Sequence, residues 1–211
     1  TDYMGRELRE RQLGVIGLGG IGRELLRLLQ TFGMQQPLVF DPFLSTETAA
    51  QLGVRLVSLE ELLRASDFVS IHCPLTEQTR GLIGAAELAQ MRPDAWLLNT
   101  ARGGIIDEDA LEAALDAGRL AGAALDCFTE EPVLQPSRFA RFENVFLAPH
   151  SIAWTDELFR DIGRMACGSL LDVSLGRRPH GLLNPVLLTQ ADFRARWAAL
   201  TGIPQHLLPT R

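Results

Sequence analysis

Lysine is absent from this sequence, and all 20 of its basic residues are arginine. Schiff-base chemistry and general-base catalysis by lysine are therefore excluded for these 211 residues. Any cationic catalytic side chain among them must be an arginine or a histidine, and histidine occurs only 4 times.

Cysteine is scarce and widely spaced. The three cysteines, Cys73, Cys127 and Cys167, are odd in number and follow no metal-ligand spacing, so we expect neither a disulfide framework nor a metal site. Cys73 and Cys127 have no adjacent base, and we interpret them as small apolar fillers rather than nucleophiles. Reduced thiols favour a cytoplasmic location.

Long apolar runs and basic clusters are missing as well. No run approaches the ~20 apolar residues of a membrane span, and no signal-peptide pattern opens the sequence. A net charge of −6 without a basic cluster argues against a nucleic acid or an anionic membrane as partner. The 46% hydrophobic content suffices for one sizeable core, or for one domain with an appendage.

A glycine-rich turn follows the first apolar run. Residues Leu13–Ile16 predict a buried strand, and the pattern Gly17-x-Gly19-x-x-Gly22 leads from it into a helical pattern. Gly17 permits the tight turn, Gly19 lets the backbone approach a pyrophosphate, and Gly22 lets the helix pack on the strand. This context predicts a dinucleotide site at the helix N-terminus. The alternative is a glycine turn in an α/β protein that binds no nucleotide.

An acidic residue ends the second apolar run. Asp41 follows Leu38-Val39-Phe40 and lies about 20 residues after Gly22, the separation expected for the carboxylate that holds the adenine ribose. A carboxylate there accepts hydrogen bonds from the ribose hydroxyls and repels a 2′-phosphate. The sequence therefore favours NAD over NADP as cofactor.

Apolar runs and helical patterns alternate along the rest of the chain, which predicts a doubly wound parallel sheet with helices on both faces. Strands are predicted at residues 13–16, 38–41, 54–56, 67–71, 95–99, 120–125 and 145–147. Helices are predicted at residues 20–32, 45–52, 59–65, 85–91, 107–117 and 154–175. We assign residues 1–180 to a Rossmann-type nucleotide-binding domain and residues 181–211 to a tail, irregular after Asn184-Pro185, that packs on another unit.

Polar residues follow the apolar runs at the carboxyl ends of several predicted strands, where α/β proteins bind ligands. Arg102 lies beside two glycines and suits bidentate recognition of a carboxylate. His150 follows a strand end and suits a proton donor, and Glu131 would fix its tautomer and raise its pKa. The alternatives are a surface arginine in a turn, a histidine that caps the last helix and a solvated loop carboxylate.

These motifs, in this order over residues 5 to about 185, resemble the D-2-hydroxyacid dehydrogenase family, which has phosphoglycerate dehydrogenase-like and glyoxylate/hydroxypyruvate reductase-like branches. The matching segments are Gly17-Leu18-Gly19-Gly20-Ile21-Gly22, Phe40-Asp41-Pro42, His72-Cys73-Pro74-Leu75-Thr76, Asn99-Thr100-Ala101-Arg102-Gly103-Gly104, Asp126-Cys127-Phe128, Glu131-Pro132 and Pro149-His150.

The resemblance implies specific roles for these residues. Arg102 would bind the substrate carboxylate and carbonyl, His150 would donate the proton, and Glu131 would pair with His150. Asp126 would meet the nicotinamide side of the cofactor. The implied NAD-binding residues are Gly17, Gly19, Gly20, Ile21, Gly22, Asp41, His72, Cys73, Pro74, Thr79, Thr100, Ala101, Arg102, Asp126 and His150.

One departure from the family concerns the substrate domain. Family members begin with half of that domain, including a glycine-containing loop that grips the substrate carboxylate, whereas this sequence begins almost at the nucleotide-binding domain. Only its tail, residues 181–211, resembles the part of the family that returns to the substrate domain. We therefore expect either an NAD-dependent oxidoreductase of 2-hydroxy acids or a catalytically impaired NAD-binding module or sensor of the same descent. Because an uncovered apolar face and Trp197, Leu207 and Leu208 in the tail would seek a partner, we expect a homodimer.

The cofactor preference is testable at Asp41. NADH should bind well and NADPH poorly, because a 2′-phosphate would face the Asp41 carboxylate. The substitution Asp41→Ala should narrow the gap between the two dissociation constants, measured by fluorescence titration. Equal affinity of the wild-type protein for both cofactors would show that Asp41 does not hold the ribose.

Overall fold

Seven short strands form one sheet in which every neighbouring pair is parallel. Their order across the sheet is β3-β2-β1-β4-β5-β6-β7, which confirms the predicted doubly wound topology. The strands are β1 (Leu13–Ile16), β2 (Leu38–Phe40), β3 (Arg55–Leu56), β4 (Phe68–Ile71), β5 (Trp96–Asn99), β6 (Gly122–Leu125) and β7 (Val145–Leu147).

The computed structural model describes residues 5–210, which fall into two compact units that divide between Ile152 and Ala153. Over residues 5–152, the first unit contains the sheet and five α-helices. The boundary predicted from the sequence, between residues 180 and 181, lies later in the chain and stays a prediction about the substrate domain. The helices of the first unit are α1 (Gly20–Leu29), α2 (Thr46–Gln51), α3 (Leu59–Ala65), α4 (Ala85–Leu88) and α5 (Glu108–Asp116).

Side-chain caps fix three of these helix starts, as the sequence predicts. The Ser45 hydroxyl accepts a hydrogen bond from the Thr48 amide at 3.2 Å, and the Ser58 hydroxyl accepts one from the Glu61 amide at 3.1 Å. The Asp107 carboxylate accepts two bonds from backbone amides of the first turn of α5. Helix α1 is shorter than predicted, because its last residues tighten into a 3₁₀ turn before Gly33.

Successive side chains of the central strands point to opposite faces of the sheet, so the buried side chains form one cluster on each face. In β1, Leu13 and Val15 belong to one buried cluster, which includes Val39 of β2. Ile16 and Leu38 belong to a second and larger cluster, which includes buried leucines of α3, α4 and α5. Helices therefore cover both faces around β1 and β2.

The other face of β5, β6 and β7 is less covered within the first unit. Trp96 of β5 and Phe146 of β7 lie side by side there, with their ring centroids 5.8 Å apart. Phe146 keeps 67% of its surface exposed, and Leu147 is also exposed. The edge strand β7 therefore presents apolar side chains that the first unit does not bury.

The second unit, from Ala153 onward, contains α6 (Asp156–Ser174) and α7 (Ala191–Thr201), with a 3₁₀ helix at Pro185–Thr189 between them and another at Gln205–Leu207. The expectation of an irregular tail is wrong, because α7 is a regular helix. The apolar residues of α7 do not recur at helical spacing, so the hydrophobic periodicity of the sequence did not predict this helix. Within residues 5–210, no helix is both long enough and apolar enough to cross a membrane.

The tail residues also form a small core of their own. Leu188, Trp197 and Leu208 are buried together. The Trp197 indole donates a hydrogen bond to the Val173 carbonyl at 2.7 Å, and Arg194 donates to the Leu188 carbonyl at 3.0 Å. Trp197 and Leu208, expected to be exposed, are thus satisfied inside this unit, whereas Leu207 remains exposed.

Candidate active site

The glycine turn after β1 has the backbone geometry that its sequence predicts. Gly17 has a φ of +86°, and a Cβ there would lie 2.8 Å from the Cys73 amide nitrogen. A Cβ on Gly22 would lie 2.9 Å from the Gly17 carbonyl oxygen. A Cβ on Gly19 would meet no atom of the described residues within 4 Å, so the space above this turn is open to a ligand.

The amino end of α1 offers unpartnered amides beside that space. Among residues 5–210, no side chain caps Gly19 and no acidic residue lies in the first turn of α1. Free N–H groups and the helix dipole favour an anion at such an end. The open turn and the uncapped helix start therefore fit a pyrophosphate group.

Asp41 is tied to the same turn. Its Oδ2 accepts a hydrogen bond from the Leu18 amide at 2.8 Å, and its Oδ1 accepts one from the Phe43 amide at 2.9 Å. The carboxylate is thus held at the carboxyl end of β2, next to the end of β1. This position suits the ribose contact expected for Asp41, which stays a prediction.

The segment after β4 lies on the other side of the turn. The His72 imidazole is hydrogen-bonded to the Ser70 hydroxyl at 2.8 Å, and burial lowers the pKa of this histidine. Burial raises the pKa of the Cys73 thiol, which lies under Gly17. The Thr79 hydroxyl donates to the Pro74 carbonyl at 2.6 Å and so closes the following turn.

The loop after β5 carries Arg102. Asn99, buried at the strand end, accepts from the Ala101 amide at 3.0 Å and donates to the Arg102 carbonyl at 2.9 Å. Its side chain therefore shapes the loop, while Thr100 and Arg102 are exposed. The Arg102 guanidinium donates to the Ala101 carbonyl at 2.6 Å, so it is folded back on its own loop.

A close backbone approach joins this loop to the next one. A Cβ on Gly103 would overlap the carbonyl of Phe128, so only glycine fits there. The Phe128 amide in turn donates to Glu131 Oε1 at 2.9 Å. The Arg102 loop and the Glu131 loop are therefore packed directly on one another.

Glu131 and His150 form a hydrogen-bonded pair. Glu131 Oε2 lies 2.7 Å from His150 Nδ1, and the side chains are 33% and 44% exposed, respectively. The hydrogen bond from His150 holds the pKa of the Glu131 carboxyl below its usual value, with the Phe128 amide adding to the effect. Because Nδ1 is engaged by the carboxylate, Nε2 is left to meet a reactant.

Asp126 fixes the backbone that carries His150. Its carboxylate is buried and accepts hydrogen bonds from the Ser151 amide at 2.9 Å and the Ile152 amide at 3.3 Å. His150 itself has a φ of +55°, a left-handed conformation uncommon outside glycine. Asp126 thus holds the residues after His150 in place, whereas its expected contact with the nicotinamide stays a prediction.

Cys127 lies beside this pair. It is buried, as expected for an apolar filler, and burial together with the charges of Asp126 and Glu131 raises the pKa of its thiol to about 11. However, the Cys127 sulfur, a carboxylate oxygen of Glu131 and a ring nitrogen of His150 all lie within 4.8 Å of one another. The expectation that no base lies near Cys127 is therefore wrong in three dimensions.

The structure brings the sequence-predicted residues to one edge of the sheet. The glycine turn, Asp41, His72, the Arg102 loop, Asp126 and His150 all follow carboxyl ends of parallel strands. The positioning role of Asn99 and the second bond of Glu131 to Phe128 were missed. The only sequence signal for the role of Asn99 in shaping the Arg102 loop is its position at the end of an apolar run.

The profile of one family covers this whole arrangement. It is described as "D-isomer specific 2-hydroxyacid dehydrogenase, NAD binding domain", and it matches residues 1–151. The chain belongs to this family. Its cofactor is accordingly NAD, in agreement with the open glycine turn and the carboxylate at the end of β2.

Relatives with assigned names support the family assignment. The chain is 41% identical over 182 residues to the D-3-phosphoglycerate dehydrogenase of Synechocystis, with 86% of this chain and 32% of the relative covered. It is 42% identical over 181 residues to the glyoxylate reductase of Aeropyrum pernix, with 86% of this chain and 54% of the relative covered. The chain therefore spans about a third to a half of these dehydrogenases.

A solved structure agrees with the fold. The D-lactate dehydrogenase of Lactobacillus jensenii, crystallised with NAD+, superposes with a TM-score of 0.76 at 26% identity. The match covers 85% of this chain and 57% of the other. The matched part of that dehydrogenase therefore has the same fold as this chain.

The Glu131–His150 pair predicts a pH-dependent contribution to stability. Since the folded-state pKa of Glu131 is lowered, its contribution is present above the ordinary value of 4.5 and is lost as the pH falls through the lowered pKa. The difference in free energy of unfolding between the wild-type protein and Glu131→Gln should therefore shrink as the pH falls below 4.5. Urea denaturation from neutral to acidic pH measures this difference, and a constant difference would contradict the prediction.

Proposed function

We propose that this chain supplies the cofactor-binding and proton-transfer half of an NAD-dependent dehydrogenase that interconverts 2-hydroxy and 2-oxo acids. The observation that carries the proposal is the 2.7 Å contact between His150 and Glu131 at the sheet edge that also carries the glycine turn. An imidazole paired with a carboxylate suits proton transfer near neutral pH. Family membership supplies the reaction class.

His150 is the proposed proton donor. NAD, when bound, exchanges a hydride with C2 of the substrate. During reduction, His150 Nε2 donates a proton to the carbonyl oxygen of the substrate, and during oxidation it accepts one from the hydroxyl. Glu131 holds Nδ1 and so fixes the orientation of the ring, while Asp126 fixes the backbone on its carboxyl side.

Arg102 is the proposed substrate anchor. A guanidinium offers a planar fork of donors that matches a carboxylate. Its present bond to the Ala101 carbonyl is within its own loop, and a rotation of the side chain releases it. In the bound state it orients the 2-oxo acid and stabilises the negative charge that develops on the carbonyl oxygen.

Activity of the 211 residues alone tests the proposal. Arg102, Glu131 and His150 provide the charge and the proton donor, and all three lie at one edge of the sheet. Misplacement of the substrate relative to these groups can lower the rate ~100-fold. We expect the chain to bind NADH but to reduce glyoxylate and hydroxypyruvate at least ~100-fold more slowly than a full-length relative. A steady-state assay beside an NADH titration measures both.

Two variants separate an enzyme from a sensor. His150→Ala should abolish the residual rate and leave NADH binding nearly unchanged, whereas His180→Ala, a matched change at an exposed histidine of the second unit, should alter neither. NADH binding without any turnover above the His150→Ala background would favour the NAD-binding module or sensor. Turnover at the full rate of a relative would show that these residues suffice on their own.

We also propose that the chain forms a homodimer. The exposed apolar side chains Phe146 and Leu147 of the edge strand β7, and Ile152 a few residues later in the chain, support an interface with a second copy. Light scattering at micromolar concentration should return twice the chain mass. Phe146→Arg should shift it to the monomer mass, while Leu134→Arg, at an exposed loop leucine, should not; a monomeric wild-type protein would refute the proposal.

A further inference from the structure

Three side chains of kinds that bind metal ions converge at the proposed proton donor, which is one of them. The Sγ atom of Cys127, a carboxylate oxygen of Glu131 and a ring nitrogen of His150 lie within 4.8 Å of one another. They come from two segments that follow neighbouring strands, β6 and β7. The spacing of these residues along the chain matches no short metal-binding motif, which is why the sequence predicted no metal site.

The donor set selects among metal ions. Ca²⁺ and Mg²⁺ take oxygen ligands almost exclusively, so a sulfur and a nitrogen donor disfavour them. Zn²⁺ takes thiolate, imidazole and carboxylate ligands together, usually in a tetrahedral arrangement. One thiolate and one carboxylate would balance its two positive charges, which lowers the cost of placing the ion in a partly buried site.

The geometry requires only local adjustment. With zinc–nitrogen and zinc–oxygen bonds near 2.1 Å, tetrahedral ligands stand roughly 3.4 Å apart. Glu131 Oε2 and His150 Nδ1 are 2.7 Å apart and must separate slightly, while the Cys127 sulfur already lies within 4.8 Å of a ligand atom of each. Cys127 closes the site from the buried side, and the 44% exposed side chain of His150 leaves a path for the ion and a fourth position for water.

We propose that Cys127, Glu131 and His150 form a binding site for one Zn²⁺ ion. The ion takes the place of the proton on His150 Nδ1, which the ring then carries on Nε2, and it displaces the thiol proton of Cys127, which passes to solvent; no oxidation or reduction occurs. A ring nitrogen bound to zinc in this way no longer forms the hydrogen bond that orients the imidazole. Under the proposed function, zinc binding therefore inhibits proton transfer, but the metal site itself does not require that function.

Zinc binding can be measured directly on the whole chain. Titration of Zn²⁺ against a chromophoric chelator should show one ion bound per chain, and Cys127→Ser should weaken binding by at least the ~10-fold typical of disturbing a metal site. Cys167→Ala, which removes an exposed cysteine of the second unit, is the matched control and should bind zinc like the wild type. Co²⁺ should give a thiolate-to-metal absorption band in the wild-type protein that is absent from Cys127→Ser.

Each failure has a distinct meaning. No zinc binding by the wild-type protein, unchanged binding by Cys127→Ser, or loss of binding in Cys167→Ala would each overturn the metal site. If Cys127→Ser fails to bind NADH and so has lost its fold, His150→Ala replaces it and should show the same weakened zinc affinity. The NADH titration is scored separately, so the dehydrogenase proposal can fail while the zinc site stands.

Discussion

Parallel pairing is the constraint on which this site depends. Because all seven strands run in one direction, each carboxyl end opens on the same edge of the sheet. The order of the strands places β1 between β2 and β4, so the glycine turn lies between Asp41 and His72. Residues more than a hundred positions apart in the chain thereby share one edge without any long-range motif to join them.

Glycine is what allows the loops at this edge to approach one another. At Gly17 the backbone bends with a positive φ against Cys73, and at Gly22 it packs on the turn itself. Gly103 brings the loop of Arg102 against the carbonyl of Phe128. A side chain at any of these positions would separate elements that have to touch, so the glycines determine the dimensions of the site.

Local signals predicted most of the fold and much of the site. The glycine turn, the capping residues Ser45, Ser58 and Asp107, and the apolar runs each act within a few residues, so the sequence reveals them directly. Helix α7 was not predicted, because it lacks an apolar stripe and is stabilised by contacts such as the bond from Trp197 to Val173. Likewise, the neighbours of Cys127 come from different loops, and only the folded chain brings them together.

The contact between Gly103 and Phe128 has a consequence for substrate choice. It packs the loop of Arg102 on the loop of Glu131, so under the proposed function the backbones that carry the acid anchor and the partner of the proton donor lie directly against one another. In that proposal both loops act only on the atoms that all 2-oxo acids share, the carboxylate and the adjacent carbonyl. Discrimination between small and bulky acids must therefore come from surfaces other than these two loops. This agrees with the range of names among the relatives, which are a phosphoglycerate dehydrogenase, a glyoxylate reductase and a lactate dehydrogenase.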